Sequence, residues 1–267
     1  MATQNGARFL VIIPAKDEAQ SLPGVLGELR RVHPPDSTVV IDDGSRDETA
    51  QIASRMGCVV LRHPFNLGYG ASLMTGYLYA VRNGFKHILQ MDADGQHPPD
   101  AMPELLGPVL DGQADLVVGS RYLDSHGLCR GGGSDRLRRF GARNIARIAS
   151  LWTGRRITDP TSGFQALSAR AVRQLCSDGF PDDYPDVDVL INLHRAGLRL
   201  REIAVRMRPR LRGSSMHRGL RVVYYFYRLS VSLLLLPIRR SSPYRNERRR
   251  LDGHGAGGDP ESTGHHR

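Results

Sequence analysis

The sequence predicts an α/β fold in which a mostly parallel sheet is flanked by helices. Short apolar runs alternate with segments of helical periodicity through the first 120 residues. Short apolar runs separated by helices of this length are typical of a mostly parallel sheet wrapped by helices. The chain has 267 residues, of which 40% are hydrophobic, so it can bury a substantial core.

Strand and helix patterns follow one another in a regular order from the first apolar run onward. The predicted strands are 9–13, 38–41, 58–61, 87–91 and 115–118, and the predicted helices between them are 18–32, 47–56 and 69–81. After residue 119 the alternation stops, and we predict a Gly-rich loop at 125–134, an Arg-rich helix at 136–151 and a late strand at 198–207. In such sheets, ligands bind beyond the carboxyl ends of the strands.

Basic residues are concentrated in the last quarter of the chain. Residues 1–198 contain 21 Lys and Arg against 22 Asp and Glu, whereas residues 199–267 contain 16 Arg against five acids. This asymmetry favours a partner that carries phosphate, which can be a nucleic acid, a lipid headgroup or a diphosphate substrate. The alternative is a solvated Arg-rich tail.

The cysteines and the N-terminal residues indicate the kind of cellular compartment in which the protein works. Cys58, Cys129 and Cys176 lie far apart, which excludes a disulfide framework or a cysteine-rich zinc module and suits a reducing compartment. Polar residues 2–8 lead directly into the first strand, so we expect no cleaved signal peptide.

The most apolar segment is 222–238, which is flanked by arginines and contains Arg228. Its 17 residues are fewer than the roughly 20 of a spanning helix. We therefore predict a domain at 1–217, an amphipathic membrane-interface helix at 218–240 and a disordered basic tail at 241–267. The alternative is a C-terminal helix buried in the core.

Two carboxylates, Asp92 and Asp94, come directly after the predicted strand 87–91. Carboxylates two residues apart at the end of a strand can converge on Mg²⁺ or Mn²⁺ together with substrate phosphates. Gln96 and His97 follow and add possible polar ligands. The alternative is an ordinary surface turn.

Polar residues also follow the first two strands. Asp43 follows strand 38–41, where an acid can accept hydrogen bonds from a nucleobase or ribose, although residues there can also cap the next helix. The first strand leads into Lys16 without the glycine-rich turn of a dinucleotide fold. Gly68 begins a similar pattern, but Leu73 replaces its third glycine, which disfavours a dehydrogenase.

Six motifs in order carry a resemblance to a known family. They are VIIPAKDE at 11–18, VVIDDGS at 39–45, MDADGQHPP at 91–99, VGSRY at 118–122, DPTSGF at 159–164 and RLRGSS at 210–215. The series resembles family 2 glycosyltransferases, and most closely the dolichyl-phosphate mannose synthase-like branch, over residues 8–217.

The resemblance implies an inverting transferase of the GT-A fold, built on a Rossmann-like nucleotide-binding sheet, with a nucleotide-sugar donor and Mg²⁺ or Mn²⁺. It implies a nucleotide-sugar site formed by Pro14, Ala15, Glu18, Ile41, Asp43, Asp92, Ala93 and Arg210. It implies metal ligation by Asp92, Asp94 and Gln96, catalysis by Asp94 and Arg121, and acceptor binding by Arg138 or Arg139. Two positions depart from the family pattern: Lys16 replaces a frequent aromatic residue, and Met216 replaces a lysine of the mannose synthases.

The chemistry leaves three hypotheses. The first is transfer of a hexose to a polyprenyl phosphate by a peripheral enzyme on the cytoplasmic face of the cell membrane. The second is transfer to a hydroxyl of a glycan or other cell-envelope acceptor, which requires a general base such as Asp186 or Asp188. For that pair, acids at a helix start are an equally good interpretation. The third is non-specific nucleic-acid binding by the Arg-rich quarter, which leaves Asp92 and Asp94 unexplained, so we expect no specific nucleic-acid partner.

Overall fold

The structure, a computed structural model, describes residues 8–123, 134–176 and 187–208, without the side chains of 134–142 and Asp188. Seven strands lie in the described residues: β1 (Leu10–Ala15), β2 (Thr38–Asp42), β3 (Val59–Arg62), β4 (His87–Gln90), β5 (Leu116–Ser120), β6 (Gln165–Ser168) and β7 (Leu200–Ala204). The helices are α1 (Leu22–Leu29), α2 (Thr49–Arg55), α3 (Tyr69–Arg82), α4 (Met102–Leu110), α5 (Ser134–Thr153), α6 (Ala169–Leu175) and α7 (Val187–Arg195).

The strands form one mixed sheet in the order β3-β2-β1-β4-β6-β5-β7. Only β6 runs antiparallel to its neighbours, and the other described strands pair in parallel. This confirms the prediction of a mostly parallel α/β sheet. The expectation that the alternation stops after residue 119 is wrong for β6, which was not predicted and joins the same sheet. The late strand predicted at 198–207 is confirmed as β7. β6 is four residues long with polar ends, too short to show a periodic pattern.

The parallel register brings several loops to one edge of the sheet. Ala15 at the end of β1 pairs with Asp42 at the end of β2, and Ile12 pairs with Gln90 at the end of β4. β5 points the same way as β4, since both are antiparallel to β6. The segments that follow β1, β2, β4 and β5 therefore meet at the same edge.

Alternate residues of each strand face opposite layers of helices. On one face, Val11 and Ile13 belong to a core with residues of α1 and α4, such as Leu26 and Leu105. The other face, in which Leu10 takes part, packs against α3, α6 and α7 through Leu73, Tyr77, Val172 and Leu190. Both faces are covered, which explains why β1 and most of β2 are apolar on both faces.

Helix α1 begins at Leu22, four residues later than the sequence predicts. The backbone N–H groups of Asp17, Glu18 and Ala19 donate to side chains of the segment that follows β2. These N–H groups are therefore hydrogen-bonded to the segment after β2, and residues 17–19 belong to a loop instead of the first turn of α1. Pro23 stands in the first turn of the helix, where a missing N–H costs nothing.

Several predictions concern segments outside the described residues. They are the domain boundary at 217, the interface helix at 218–240, the tail at 241–267, and the roles of Asp186, Arg210 and Met216. Among the helices of the described ranges, none is both long enough and apolar enough to cross a membrane.

Candidate active site

The segments after β1 and β2 are joined by hydrogen bonds. The Asp17 N–H donates to Ser45 Oγ at 2.9 Å, and the Arg46 N–H donates back to Asp17 Oδ1 at 2.8 Å. The Glu18 N–H donates to Thr49 Oγ1 at 2.9 Å. Asp17 has a φ of 53°, a left-handed conformation that these bonds hold in place. The two loops in which the sequence predicts nucleoside contacts are therefore one ordered unit.

Asp43 is buried, with 4% of its surface exposed, and it organises the turn that precedes α3. Its Oδ1 accepts from the Leu67 N–H at 2.8 Å and lies 2.9 Å from His63 Nδ1. Its Oδ2 accepts from the Gly68 N–H at 3.0 Å. The carboxylate thereby fixes the loop in which Gly68 stands, while contact between Asp43 and a nucleobase stays a prediction.

Gly44 allows this loop to approach closely. Its φ is +65°, and a Cβ at this position would lie 2.6 Å from the backbone carbon of Phe65. Lys16, which departs from the family pattern, donates through Nζ to the carbonyl oxygens of Asp43 and Gly44 at 3.3 and 3.4 Å. Lys16 therefore fastens the β1 loop to the β2 loop.

Asp92 lies directly beyond β4, and its carboxylate is held from two sides. Tyr69, the first residue of α3, donates its hydroxyl to Asp92 Oδ1 at 2.9 Å. His97 Nε2 lies 3.7 Å from Asp92 Oδ2. The side chain of Asp92 retains 30% of its exposure, so the carboxylate can still reach a ligand.

A chain of buried polar groups supports Tyr69. The Tyr77 hydroxyl donates to Gln90 Oε1, and Gln90 Nε2 donates to the Tyr69 oxygen at 3.3 Å. Our sequence analysis assigned no role to these three residues. A glutamine inside the predicted strand 87–91 was the one available signal, because a buried amide requires partners.

His97 is a structural support for the loop rather than an open ligand. Its Nδ1 accepts from the Asp92 N–H at 2.9 Å, and its ring stacks on Phe164 with centroids 4.9 Å apart. Burial lowers the pKa of His97, while the nearby carboxylates of Asp92 and Asp94 act to raise it and Arg121 acts to lower it. The charges around the imidazole place Asp92, Asp94 and Arg121 in one neighbourhood.

Asp94 and Gln96 form the next turn of the same loop. Asp94 is buried, and its Oδ1 accepts from the Gln96 N–H at 3.0 Å. Gln96 is joined in both directions to Arg208, whose N–H donates to the Gln96 carbonyl at 2.9 Å and whose carbonyl lies 3.4 Å from Gln96 Nε2. Arg208 also pairs with Glu28 of α1. The end of the described chain is therefore tied to the carboxylate loop.

The residues present fit a divalent cation held jointly with a phosphate-bearing ligand. No group of three His, Cys, Asp or Glu side chains in the described residues could hold a metal ion by itself. One or two carboxylates are enough for Mg²⁺ when substrate phosphates complete the shell. Gly163 makes room for the Asp92 carboxylate, since a Cβ there would lie 3.0 Å from both of its oxygens and 2.8 Å from the Tyr69 hydroxyl.

Arg121, directly after β5, is fixed by a buried carboxylate. Its Nε and Nη2 donate to Oδ2 and Oδ1 of Asp159, each at 2.7 Å, and Nη2 also donates to Thr161 Oγ1 at 3.1 Å. Asp159 is fully buried, and the side chain of Arg121 is 25% exposed. Burial disfavours the charged guanidinium, but the bonds to Asp159 outweigh that effect and raise the pKa of Arg121. No partner for Nη1 is found among the described residues.

Glu202 of β7 holds the segment that carries Asp159. Its carboxylate accepts from the N–H groups of Thr158 and Asp159 and from the Thr158 hydroxyl, all at 2.8–3.0 Å. Burial raises the pKa of Glu202, although these hydrogen bonds act to lower it. Sequence reasoning missed both Asp159 as the partner of Arg121 and Glu202 as the group that holds the Asp159 segment.

The other predicted site residues divide into three groups. Buried positions at the ends of β1, β2 and β4 are occupied by Pro14, Ala15, Ile41 and Ala93. Arg138 and Arg139 lie on α5 and Asp188 on α7, in parts of the helices whose side chains are not described. Arg210 lies outside the described residues. The structure thus brings together Asp92, Asp94, Gln96 and Arg121, while their roles stay predictions.

The mostly parallel sheet carries two carboxylates, Asp92 and Asp94, and the fixed Arg121 at its carboxyl edge. This arrangement suits the transfer of a group that is linked to phosphate. The profile of "Glycosyl transferase family 2" matches residues 10–176. The chain belongs to this family, as the sequence motifs predicted. It is therefore a glycosyltransferase.

Relatives with assigned activities agree with this membership. The chain is similar to an undecaprenyl-phosphate mannosyltransferase of Micrococcus luteus, with 31% identity over 79% of this chain and 88% of the relative. It is similar to a polyprenol monophosphomannose synthase of Mycolicibacterium smegmatis, with 30% identity over 63% of this chain and 64% of the relative.

A solved structure has the same fold. Glucosyl-3-phosphoglycerate synthase from Mycobacterium tuberculosis, in complex with Mn²⁺, UDP-glucose and phosphoglyceric acid, superposes with a TM-score of 0.62. The match has 23% identity and covers 90% of this chain and 83% of that one. The prediction of a GT-A fold for the described sheet and its helices is confirmed.

Proposed function

We propose that this enzyme moves a hexose from a nucleotide sugar to a polyprenyl phosphate, with inversion at the anomeric carbon and with the help of Mg²⁺ or Mn²⁺. It works as a peripheral protein on the cytoplasmic face of the cell membrane. The relatives named for transfer to undecaprenyl phosphate and to polyprenol monophosphate support the acceptor class. The Mn²⁺ and UDP-glucose of the M. tuberculosis structure belong to a protein with the same fold and are compatible with the donor class.

One observation carries the proposal: Asp92 and Asp94 follow β4 at the same edge of the sheet as Arg121. The Asp92 charge is close enough to raise the pKa of Arg121, although burial and the bonds to Asp159 are the larger effects. Carboxylates beside a fixed guanidinium suit a ligand that contains both a cation and phosphate groups.

The chemistry of sugar transfer needs this arrangement. When the bond between sugar and phosphate breaks, negative charge develops on the departing nucleoside diphosphate. Asp92 and Asp94 would hold a divalent cation, which stabilises that charge as a Lewis acid when bound. Arg121 is oriented before the substrates arrive, because Asp159 fixes two of its nitrogens. Its Nη1 can therefore donate to a phosphate or a sugar oxygen without reorganisation.

The acceptor decides whether a general base is needed. A lipid phosphate is already an anionic nucleophile, so it requires positive charge to position it and no base. A hydroxyl acceptor would need a carboxylate to take its proton, for which Asp186 and Asp188 are the candidates in the sequence. The lipid acceptor therefore predicts mild effects of Asp186→Asn and Asp188→Asn, whereas a hydroxyl acceptor predicts that one of these changes abolishes transfer.

The test is a transfer assay on undecaprenyl phosphate with radiolabelled GDP-mannose, UDP-glucose or UDP-N-acetylglucosamine. We expect one donor to yield a labelled lipid in the presence of Mn²⁺ or Mg²⁺, and Asp94→Ala to abolish the product. Asp100→Ala, an exposed acid beyond the same loop, is the matched control and should retain activity. A chain that transfers from none of the donors, with either metal, would contradict the proposal.

Calorimetric titration of GDP and UDP separates donor binding from acceptor choice. We expect metal-dependent binding of one nucleotide, which Asp94→Ala removes. Metal-dependent nucleotide binding without transfer to the lipid would support the donor site and would contradict the polyprenyl phosphate acceptor.

A further inference from the structure

Contacts with the described residues leave the carboxylate of Asp43 one acceptor position. Each oxygen of an ionised carboxylate has two lone pairs and can only accept. Oδ1 accepts from the Leu67 N–H at 2.8 Å and from His63 Nδ1, which lies 2.9 Å away and must therefore carry the proton. Oδ2 accepts from the Gly68 N–H at 3.0 Å. Within the described part of the chain, Oδ1 is thus fully used and Oδ2 retains one lone pair.

The histidine on Oδ1 is itself held in place. His63 Nε2 lies 2.9 Å from Thr75 Oγ1 of α3, and the side chain of His63 is 9% exposed. The ring therefore stays between Asp43 and α3, and Oδ1 is not released to a ligand. The side chain of Asp43 is 6% exposed, which admits one donor and not two donors side by side.

The ammonium group of Lys16 lies against the backbone of the same residue. Nζ donates to the carbonyl oxygens of Asp43 and Gly44 at 3.3 and 3.4 Å, and its 3.9 Å distance to Asp17 Oδ2 exceeds that of a hydrogen bond. An ammonium has three N–H donors, so one has no hydrogen-bond partner in the described residues. The side chain of Lys16 is 38% exposed, and this donor can reach a ligand.

We propose that Asp43 and Lys16 together select a uridine nucleotide, so that the donor is a UDP-hexose. Among the four ribonucleotide bases, uracil alone has a single N–H donor, and a carbonyl oxygen flanks that donor on each side. Its N3–H can donate to the remaining position on Asp43, while a flanking carbonyl accepts from Lys16. The inference rests on the proposed function, because it assumes that the loop after β2 receives the base of a nucleotide sugar.

Guanine does not fit the same acceptor position. Its N1–H and N2–H donors lie side by side, and pairing both with one carboxylate requires an open position on each oxygen. With Oδ1 of Asp43 already used, one guanine donor would be left without a partner in a closed site. A polar group left unpaired in this way lowers affinity by about tenfold or more, which is how a hydrogen-bonding site rejects a near relative of its ligand.

Calorimetric titration of UDP, GDP, IDP and N3-methyl-UDP into the wild-type protein with Mn²⁺ tests the inference. We expect UDP to bind on the order of tenfold tighter than GDP, and N3-methyl-UDP, which lacks the donor, not to bind. IDP is GDP without the N2 amino group, so it tests that group at nearly constant size. We expect IDP to bind at least as tightly as GDP. Tighter binding of GDP than of UDP, or of GDP than of IDP, would overturn the inference.

A variant tests the ammonium group. Lys16→Met should lower the affinity for UDP on the order of tenfold. Lys86→Met is the matched control, because Lys86 is exposed and precedes β4, at the opposite edge of the sheet. Equal UDP affinity in the two variants would contradict contact between Lys16 and the base.

The same titrations separate this inference from the proposed function. A preference for GDP would overturn the choice of uridine and would leave transfer from a nucleotide sugar supported. Binding of none of these nucleotides, with either Mn²⁺ or Mg²⁺, would contradict the proposed function and the inference together.

Discussion

The Tyr69 hydroxyl donates a hydrogen bond to Asp92 Oδ1 at 2.9 Å, across 23 residues of sequence. This contact joins the first residue of α3 to the carboxylate that we propose as a metal ligand. Groups that orient a metal ligand are commonly worth 10- to 100-fold in metal affinity. The contact therefore supplies a test of the site that leaves its carboxylates intact.

Tyr69→Phe should weaken metal-dependent nucleotide binding by about tenfold while the protein stays folded. The ring keeps its packing, but Asp92 loses the donor that fixes its rotamer. Calorimetric titration of Mn²⁺ in the presence of the preferred nucleotide measures the effect. Tyr79→Phe in the same helix is the control, because no hydrogen bond of its hydroxyl occurs in the described structure. Equal metal affinity in both variants would count against the orienting role of Tyr69.

Gly163→Ala should lower activity by displacing the carboxylate of Asp92. The added methyl group would lie 2.8 Å from the Tyr69 hydroxyl and 3.0 Å from both Asp92 oxygens, so at least one of these groups must move. We expect the metal concentration for half-maximal activity to rise. Gly107→Ala in α4, which meets nothing within 4 Å, is the matched control. A Gly163→Ala enzyme with normal metal dependence would show that the Asp92 carboxylate tolerates the added methyl group, which would contradict the prediction.

Asp159→Ala should destabilise the protein as well as inactivate it. Removing the carboxylate leaves the largely buried guanidinium of Arg121 without its partner, a loss that costs about 3–5 kcal/mol of the free energy of unfolding. Urea unfolding followed by circular dichroism measures this difference. Glu48→Ala breaks an ion pair whose side chains are 64% and 70% exposed, and it should cost no more than about 1 kcal/mol. Similar losses of unfolding free energy in the two variants would contradict the stabilising role of the buried Arg121–Asp159 pair.

Glu202 predicts a pH dependence of stability with a definite sign. Burial raises its pKa in the folded protein, so between the ordinary value of 4.5 and the raised value the folded state binds more protons than the unfolded state. The contribution of Glu202 to stability must then fall as the pH rises through that window. The glutamine of Glu202→Gln does not titrate. The free energy of unfolding of the wild type should therefore fall relative to that of the variant as the pH rises. Urea unfolding from pH 4 to pH 8 measures it, and a difference that is constant with pH would refute the raised pKa.

The sequence alone determined where the site would be sought. Apolar runs end abruptly at polar residues after β1, β2 and β4, and parallel strands bring their carboxyl ends to one edge. This reasoning places Asp43, Asp92 and Asp94 in the loops after β2 and β4, where the structure has them, while their roles stay predictions. The long helices were also predicted to within a few residues, because their apolar spacing is regular.

Only the tertiary structure decided how these residues are held. Arg121 and Asp159 are 38 residues apart, and Asp92 and Tyr69 are 23 apart, so local patterns carry no information about either pair. The antiparallel strand β6 between β4 and β5 brings the Asp159 segment to Arg121, and its four residues are too few to predict. Periodicity reports which face of an element is buried, whereas the partner of a buried polar group depends on how distant elements pack. For that reason the sequence predicted the carboxylates, and the fold supplied the tyrosine, the aspartate and the glutamate that position the site.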